Sequence, residues 1–221
     1  MKELTGLGPF FAVETHAAGE PAEPWRPLSE VLDDGPVLRD RVARNRAYLG
    51  GDVVEERVAA SIAHLGLAAR IISPALGLAA AAGAVPDYSA AWWQPKLGGA
   101  FPLSLPEAPP VSDDLVGEFA DRVLRGPLAR LDSAVARFSV AENIRRGNVA
   151  SALNGAVAVL RVERPQWTDQ VGRMVAALEE LPELAGAATR KNGQFRRRSC
   201  CLFYRVAPDR NGPKCGDCVL V

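Results

Sequence analysis

The stretch Asp52–Ile72, DVVEERVAASIAHLGLAARII, decides the fold class of this 221-residue chain. Its apolar residues Val54, Val58, Ile62, Leu65, Ala69 and Ile72 recur in alternating steps of four and three, the repeat of a helix that buries one face. Asp52-Val53-Val54-Glu55 ahead of them has capping-box character. On the N-terminal side, Pro36 in a first turn and Gly50-Gly51 as a stop frame a shorter helix over 36–49. Residues 1–35 read as an irregular lead-in, because the segment from Gly19 to Pro36 is rich in proline and in acidic residues (Glu20, Glu23, Glu30, Asp33, Asp34).

On the C-terminal side, Ser73-Pro74 reads as the cap and first-turn proline of a second, very apolar helix that ends near Gly83. The uncharged run 71–86 is broken by Pro74 and Gly77 and is largely alanine, so it reads as a buried helix and not a membrane span. Ala91–Gln94 and Phe101–Leu105 flank a Lys96-Leu97-Gly98-Gly99 turn and suggest a short hairpin, with Pro95 and Pro102 confining it to edge strands. A proline-rich joint over 106–110 leads to a helical pattern from Asp113, kinked at Gly126-Pro127 and ending about Phe138. Ser139-Val140-Ala141-Glu142 is a second capping box, opening a helix rich in small residues through Asn148, Ser151, Ala152 and Gly155 to about Val162. Thr168 opens another, with Val171, Met174, Val175, Leu178 and Leu181 on one face and Pro182 as its stop. From Phe195 to Val206 aromatic and β-branched residues suggest a strand, and the turn-forming run 208–213 (PDRNGP) follows it. The expected fold is mainly α: a helical body over 36–190 with minor β hairpins, and a C-terminal strand-loop segment over 191–221 that carries four cysteines.

Composition narrows the function. With 48% hydrophobic and 24% charged residues the chain can bury a core, which excludes disorder as its main state. Lys and Arg together number 26, as do Asp and Glu, so no global field draws the protein to nucleic acid or into an anionic membrane. Residues 1–16 have no secretory-signal pattern, and the expected location is cytoplasmic. There the reducing pool keeps thiols free unless a metal claims them.

All four cysteines fall in the last 22 residues, as Cys200-Cys201, thirteen residues, then Cys215-Gly216-Asp217-Cys218. Two chain-local pairs either side of a turn can surround one metal centre. Zinc is awkward, since only the second pair has knuckle spacing. A thioredoxin-type pair at Cys215 and Cys218 would need a following helix, yet only three residues remain. A 2Fe-2S cluster divides four thiolates between two irons and tolerates varied spacing. These three readings compete on spacing alone. Charge favours the cluster: from residue 185 onward eight basic residues face two acidic ones, a surplus of six. Cations beside an anionic centre favour its reduced state, and Arg196, Arg197, Arg198 and Arg205 are the candidates for tuning it.

The cysteine pattern, with Leu202-Phe203-Tyr204-Arg205 directly after the first pair, resembles the C-terminal 2Fe-2S signature of the FhuF-like ferric-siderophore reductases. Residues 70–76, the Trp92-Trp93 pair and residues 139–151 resemble that family's helical body. The resemblance implies that Cys200, Cys201, Cys215 and Cys218 ligate a 2Fe-2S cluster. It also implies that the protein passes one electron to the iron of an imported ferric siderophore. The family spacer between the pairs is commonly about ten residues; the extra turn residues here can bulge out without moving the ligands.

Such chemistry needs no general base. His16 and His64 are expected to be structural, and Gly50-Gly51 and Gly98-Gly99 are isolated pairs without a dinucleotide fingerprint. A separate donor is therefore implied, a flavoprotein or ferredoxin. Arg145, Arg146, Asn148, Trp92 and Trp93 are candidates for contacting an anionic iron complex. Two further classes stay open: a 2Fe-2S electron carrier that binds no siderophore, and a binding protein with a zinc knob.

Overall fold

A computed structural model of the chain describes residues 2–96, 98, 100–107, 109–191 and 193–221. Within the expected turn over 96–99, Leu97 and Gly99 lie outside the described residues, as does Ala108 of the proline-rich joint. After a 3₁₀ turn at Lys2–Leu7 come short strands β1 (Glu14–His16) and β2 (Arg26–Pro27) and helices α1 (Ser29–Leu32), α2 (Pro36–Leu49) and α3 (Glu56–Ala82). Strands β3 (Trp92–Trp93) and β4 (Leu103–Pro106) lead to α4 (Leu115–Phe119), a π-helical segment (Ala120–Leu128) and α5 (Ala129–Ala136). Helices α6 (Glu142–Glu163) and α7 (Thr168–Glu179), then strands β5 (Ala188–Lys191) and β6 (Gln194–Arg197), complete the regular structure.

Helix α3 is the axis of the fold. It is long and apolar enough to cross a membrane, but most of its apolar window is buried inside the protein, against α2 and α6. Contrary to the two-helix expectation, Pro74 lies within it. A proline there withholds an N–H from the Arg70 carbonyl. The Tyr88 hydroxyl donates to the neighbouring Ile71 carbonyl, and close packing on all sides holds the turn in helical form. Neither expected capping box forms. The N-caps are Glu55 and Ala141, without side-chain cap bonds, and Ser139 sits at φ 57° outside α6. The kink at Gly126-Pro127 is present, with Gly126 at φ −86°, ψ −108°.

The expected hairpin is β3–β4, pairing Trp92 with Ser104 and Trp93 with Leu103. It occupies the centre of a four-stranded sheet in the order β1-β4-β3-β2, not an edge. Neither proline has to donate: Pro95 lies beyond the paired residues, and Pro102 only accepts, from the Gln94 N–H (3.1 Å). The lead-in is irregular but integral: Leu4, Leu7, Phe11, Leu28, Val31 and Leu32 are all in the main core. Buried Arg70 fastens it, donating to the carbonyls of Phe10 (2.8 Å), Ala12 (2.5 Å) and Phe101 (2.8 Å). Burial lowers the pKa of this guanidinium to about 10, leaving it a cation at neutral pH. Its effect on the site is to hold Phe10 and Phe11 across the groove between α3 and α6.

Candidate metal centre

Strand β6 ends at Arg197, well short of the Val206 expected from sequence, and the chain then turns repeatedly. Leu202 adopts φ 71°, ψ 1°, a left-handed conformation that reverses the backbone after the first cysteine pair and allows a 3₁₀ turn at Phe203–Val206. Leu202 itself packs with Val54 and Val58, which anchors the segment to the start of α3. On the other side, the Ser61 hydroxyl of α3 donates to the Cys201 carbonyl (2.9 Å). The Ser199 hydroxyl donates to the Asn143 carbonyl of α6 (2.6 Å). The cysteine loop is thus moored to both core helices.

All four cysteines are free thiols, Cys201 and Cys218 buried and Cys200 and Cys215 half-buried. Cys201 Sγ and Cys215 Sγ lie 3.5 Å apart, far outside disulfide bonding. The Leu202 N–H donates to Cys200 Sγ (3.3 Å) and the Leu220 N–H to Cys218 Sγ (3.4 Å). Burial pushes the Cys200 thiol up, and pushes Cys215 up to about 12, with the neighbouring Cys201 adding to the latter. Crowded thiols of this kind require positive charge if they are to be held as thiolates.

Arg197 provides part of that charge. It is 1% exposed, and alternation along β6 points it inward while Arg196 and Arg198 stay exposed. Its Nη2 donates to the Asn148 side-chain oxygen (2.8 Å) and the Ile144 carbonyl (3.2 Å). Its Nε and Nη1 are buried with no hydrogen-bond partner. Desolvation lowers the pKa of this guanidinium, and Cys201, Cys215, Cys200 and Asp217 work against that, in decreasing order. A buried guanidinium with two unmet donors beside four thiols has the donor chemistry that an anionic sulfur centre accepts. Among the described residues, no three His, Cys, Asp or Glu side chains converge where one ion could sit.

The residues 197–220 match the model of the FhuF 2Fe-2S C-terminal domain. This C-terminal segment is FhuF-like. The matched segment contains Arg197 and all four cysteines, and these residues fit a 2Fe-2S cluster held by Cys200, Cys201, Cys215 and Cys218. No curated protein and no solved structure matches the chain.

The other tuning candidates are engaged elsewhere or exposed. Arg205 pairs with Glu55 (2.9 Å), whose carboxyl is held below the usual range by Arg57 first and by Arg205. Arg196 donates to the Val221 carbonyl, and Arg198 faces solvent. The substrate-contact candidates all have internal partners. Trp93 is 2% exposed and meets Phe101 edge-on, and Trp92 stacks on His16 at 3.5 Å. Arg145 donates to the Val140 carbonyl and approaches Asp132. Arg146 donates to the carbonyls of Pro182, Glu183 and Ala185, tying α6 to the turn after α7.

Asn148 is fully buried and serves as a hub behind the thiols. Its amide nitrogen donates to the Ser61 carbonyl (3.0 Å) and to His64 Nδ1 (3.2 Å), while its oxygen accepts from Arg197. With Nδ1 accepting, His64 carries its proton on Nε2 and donates to Asp132 (2.6 Å). Sequence reading missed the roles of Ser61, Asp217 and Gly147. A signal existed in the polar pairs Ser61/His64 and Asn148/Ser151, each three residues apart on a helix otherwise built of small apolar residues.

Gly147 lets the cysteine segment approach α6. A Cβ there would collide with the Ser199 hydroxyl and stand 2.9 Å from Arg197 Nη2, both pinned by hydrogen bonds. Gly147→Ala should therefore destabilise the fold by about 1–3 kcal/mol. Urea unfolding of the metal-free protein measures this, and unchanged stability would show that the segment is loosely seated.

A cavity of about 300 Å³ reaches the site along the α3–α6 groove. Its lining includes Phe11, Leu65 and Ala156 together with Cys215, Arg197 and Asp217. The Asp217 carboxylate accepts from the Ser151 hydroxyl (2.8 Å) and the Asn154 amide (3.3 Å).

Proposed function

We propose that this chain is a one-electron reductase of ferric siderophores, working in a reducing compartment such as the cytoplasm. The observation that carries the reading is the joint presence, in the lining of one largely apolar cavity, of a candidate cluster-ligand thiol (Cys215) and the buried cation Arg197. The FhuF-type 2Fe-2S domain supports the redox chemistry. When bound, the cluster supplies one electron at a time. Cys200, Cys201, Cys215 and Cys218 hold it, Arg197 offsets its negative charge, and the mooring through Ser61 and Ser199 keeps it fixed relative to α3 and α6.

The cavity is at the lower end of the usual range for small-molecule sites, about 300–1,000 Å³. It suits one arm of a hydroxamate or catecholate complex, with the iron near the mouth. Reduction to the ferrous state weakens the grip of hard oxygen ligands and frees the metal. The electron arrives from a separate flavoprotein or ferredoxin.

The test is to reduce the loaded protein with dithionite, remove the excess, and add ferric hydroxamates and catecholates with a ferrous-iron chelator present. Cluster reoxidation with one trapped ferrous ion per electron is expected. A cluster that stays reduced with every ferric complex would make the protein an electron carrier.

A further inference from the structure

Chain-local pairing would put Cys200 with Cys201 on one metal and Cys215 with Cys218 on the other. The thiols are arranged differently. Two thiolates on one tetrahedral metal with bonds of about 2.3 Å lie about 3.8 Å apart, whereas ligands of opposite irons are separated by the bridging sulfides. Cys201 and Cys215, fourteen positions apart, approach to 3.5 Å, which is the span of a shared-metal edge. That leaves Cys200 with Cys218 by elimination. Each pair then joins one buried and one half-buried thiol.

We infer that Cys201 and Cys215 share one iron and Cys200 and Cys218 the other, and that the electron added on reduction resides on the Cys201/Cys215 iron. The inference rests on the 2Fe-2S reading of the site. Arg197 bears on the second half: it lines the same cavity as Cys215, and its Nε and Nη1 are buried donors without partners. The opposite pair receives two neutral backbone N–H groups, from Leu202 and Leu220. Charge-assisted hydrogen bonds are roughly twice as strong as neutral ones, so the extra negative charge is best stabilised at the Arg197 end. The nearby Asp217 carboxylate works against this, but Ser151 and Asn154 bind it and Arg190 adds a compensating field. Because Cys215 and Arg197 also line the cavity, the added electron sits beside the space a ligand would occupy.

Each cysteine is followed by a different residue type: Cys201, Leu202, Gly216 and Val219. Carbon-13 cysteine combined with nitrogen-15 in one following residue type at a time therefore assigns every ligand in the intact, cluster-loaded chain. After one-electron reduction by dithionite, paramagnetic NMR separates ligands of the ferric iron, with large hyperfine shifts that shrink on warming, from those of the ferrous iron, with small shifts that grow. We expect Cys201 and Cys215 to be ferrous-type and Cys200 and Cys218 ferric-type. Cys200 and Cys201 in one class, a ferrous pair of Cys200 and Cys218, or four ligands of a single class would overturn the inference. A preparation without iron and sulfide would instead refute the cluster reading on which it rests.

Discussion

Replacing Arg197 with methionine should lower the midpoint potential of the loaded protein by about 65–130 mV. The figure follows from hydrogen bonds to charged groups being worth about 1.5–3 kcal/mol, converted at about 59 mV per tenfold change for one electron. Arg197 is the cation buried among the thiols, and Nε and Nη1 have no other partner to occupy them. Arg197→Lys retains the charge while losing the planar set of donors, so its potential should fall less. Methionine also strands the Asn148 side-chain oxygen, which adds destabilisation of about 1–3 kcal/mol. Spectroelectrochemical titration of both variants reads the potentials. A potential unchanged in Arg197→Met would mean that the guanidinium does not face the cluster.

Serine at any one of the four cysteines should abolish or strongly alter the visible spectrum. The buried positions Cys201 and Cys218 should be the more severe, because an off-length ligand there cannot be replaced by solvent. Cys201→Ser is expected to remove most bound iron, since this residue is also moored through its carbonyl to Ser61 and has little freedom to readjust. Cys200→Ser, at a half-buried position, should retain an altered centre. Iron and sulfide analysis alongside the spectrum checks the order, and an unaltered spectrum in any variant would remove that residue from the ligand set.

The helical body was legible where punctuation is local. Pro36 and Gly50-Gly51 bound α2 as expected, and Pro182 lies just beyond α7. Pro74 misled because its cost is set by packing around α3, not by its immediate neighbours. The sheet could not be read, since β1 pairs with β4 across some ninety residues and strands of two to four residues carry little periodic signal. The ordered lead-in left a trace in Leu4, Leu7 and Phe11, all buried and spaced by three and four.

The four-cysteine pattern was legible in the sequence, but the approach of Cys201 to Cys215 across the loop was not, because that depends on the left-handed turn at Leu202 and the mooring at Ser61. Among four candidate arginines, period-two alternation along β6 would have singled out Arg197. Asn148 was noted for substrate contact; burial places it behind the thiols instead, where it orients Arg197 and His64.

The central claim is that these thiols hold a 2Fe-2S cluster, and anaerobic purification with metal and sulfide analysis addresses it most directly. The account predicts a coloured protein with two irons and two labile sulfides per chain, bleached by dithionite. A colourless protein with one zinc per chain and no sulfide would contradict it.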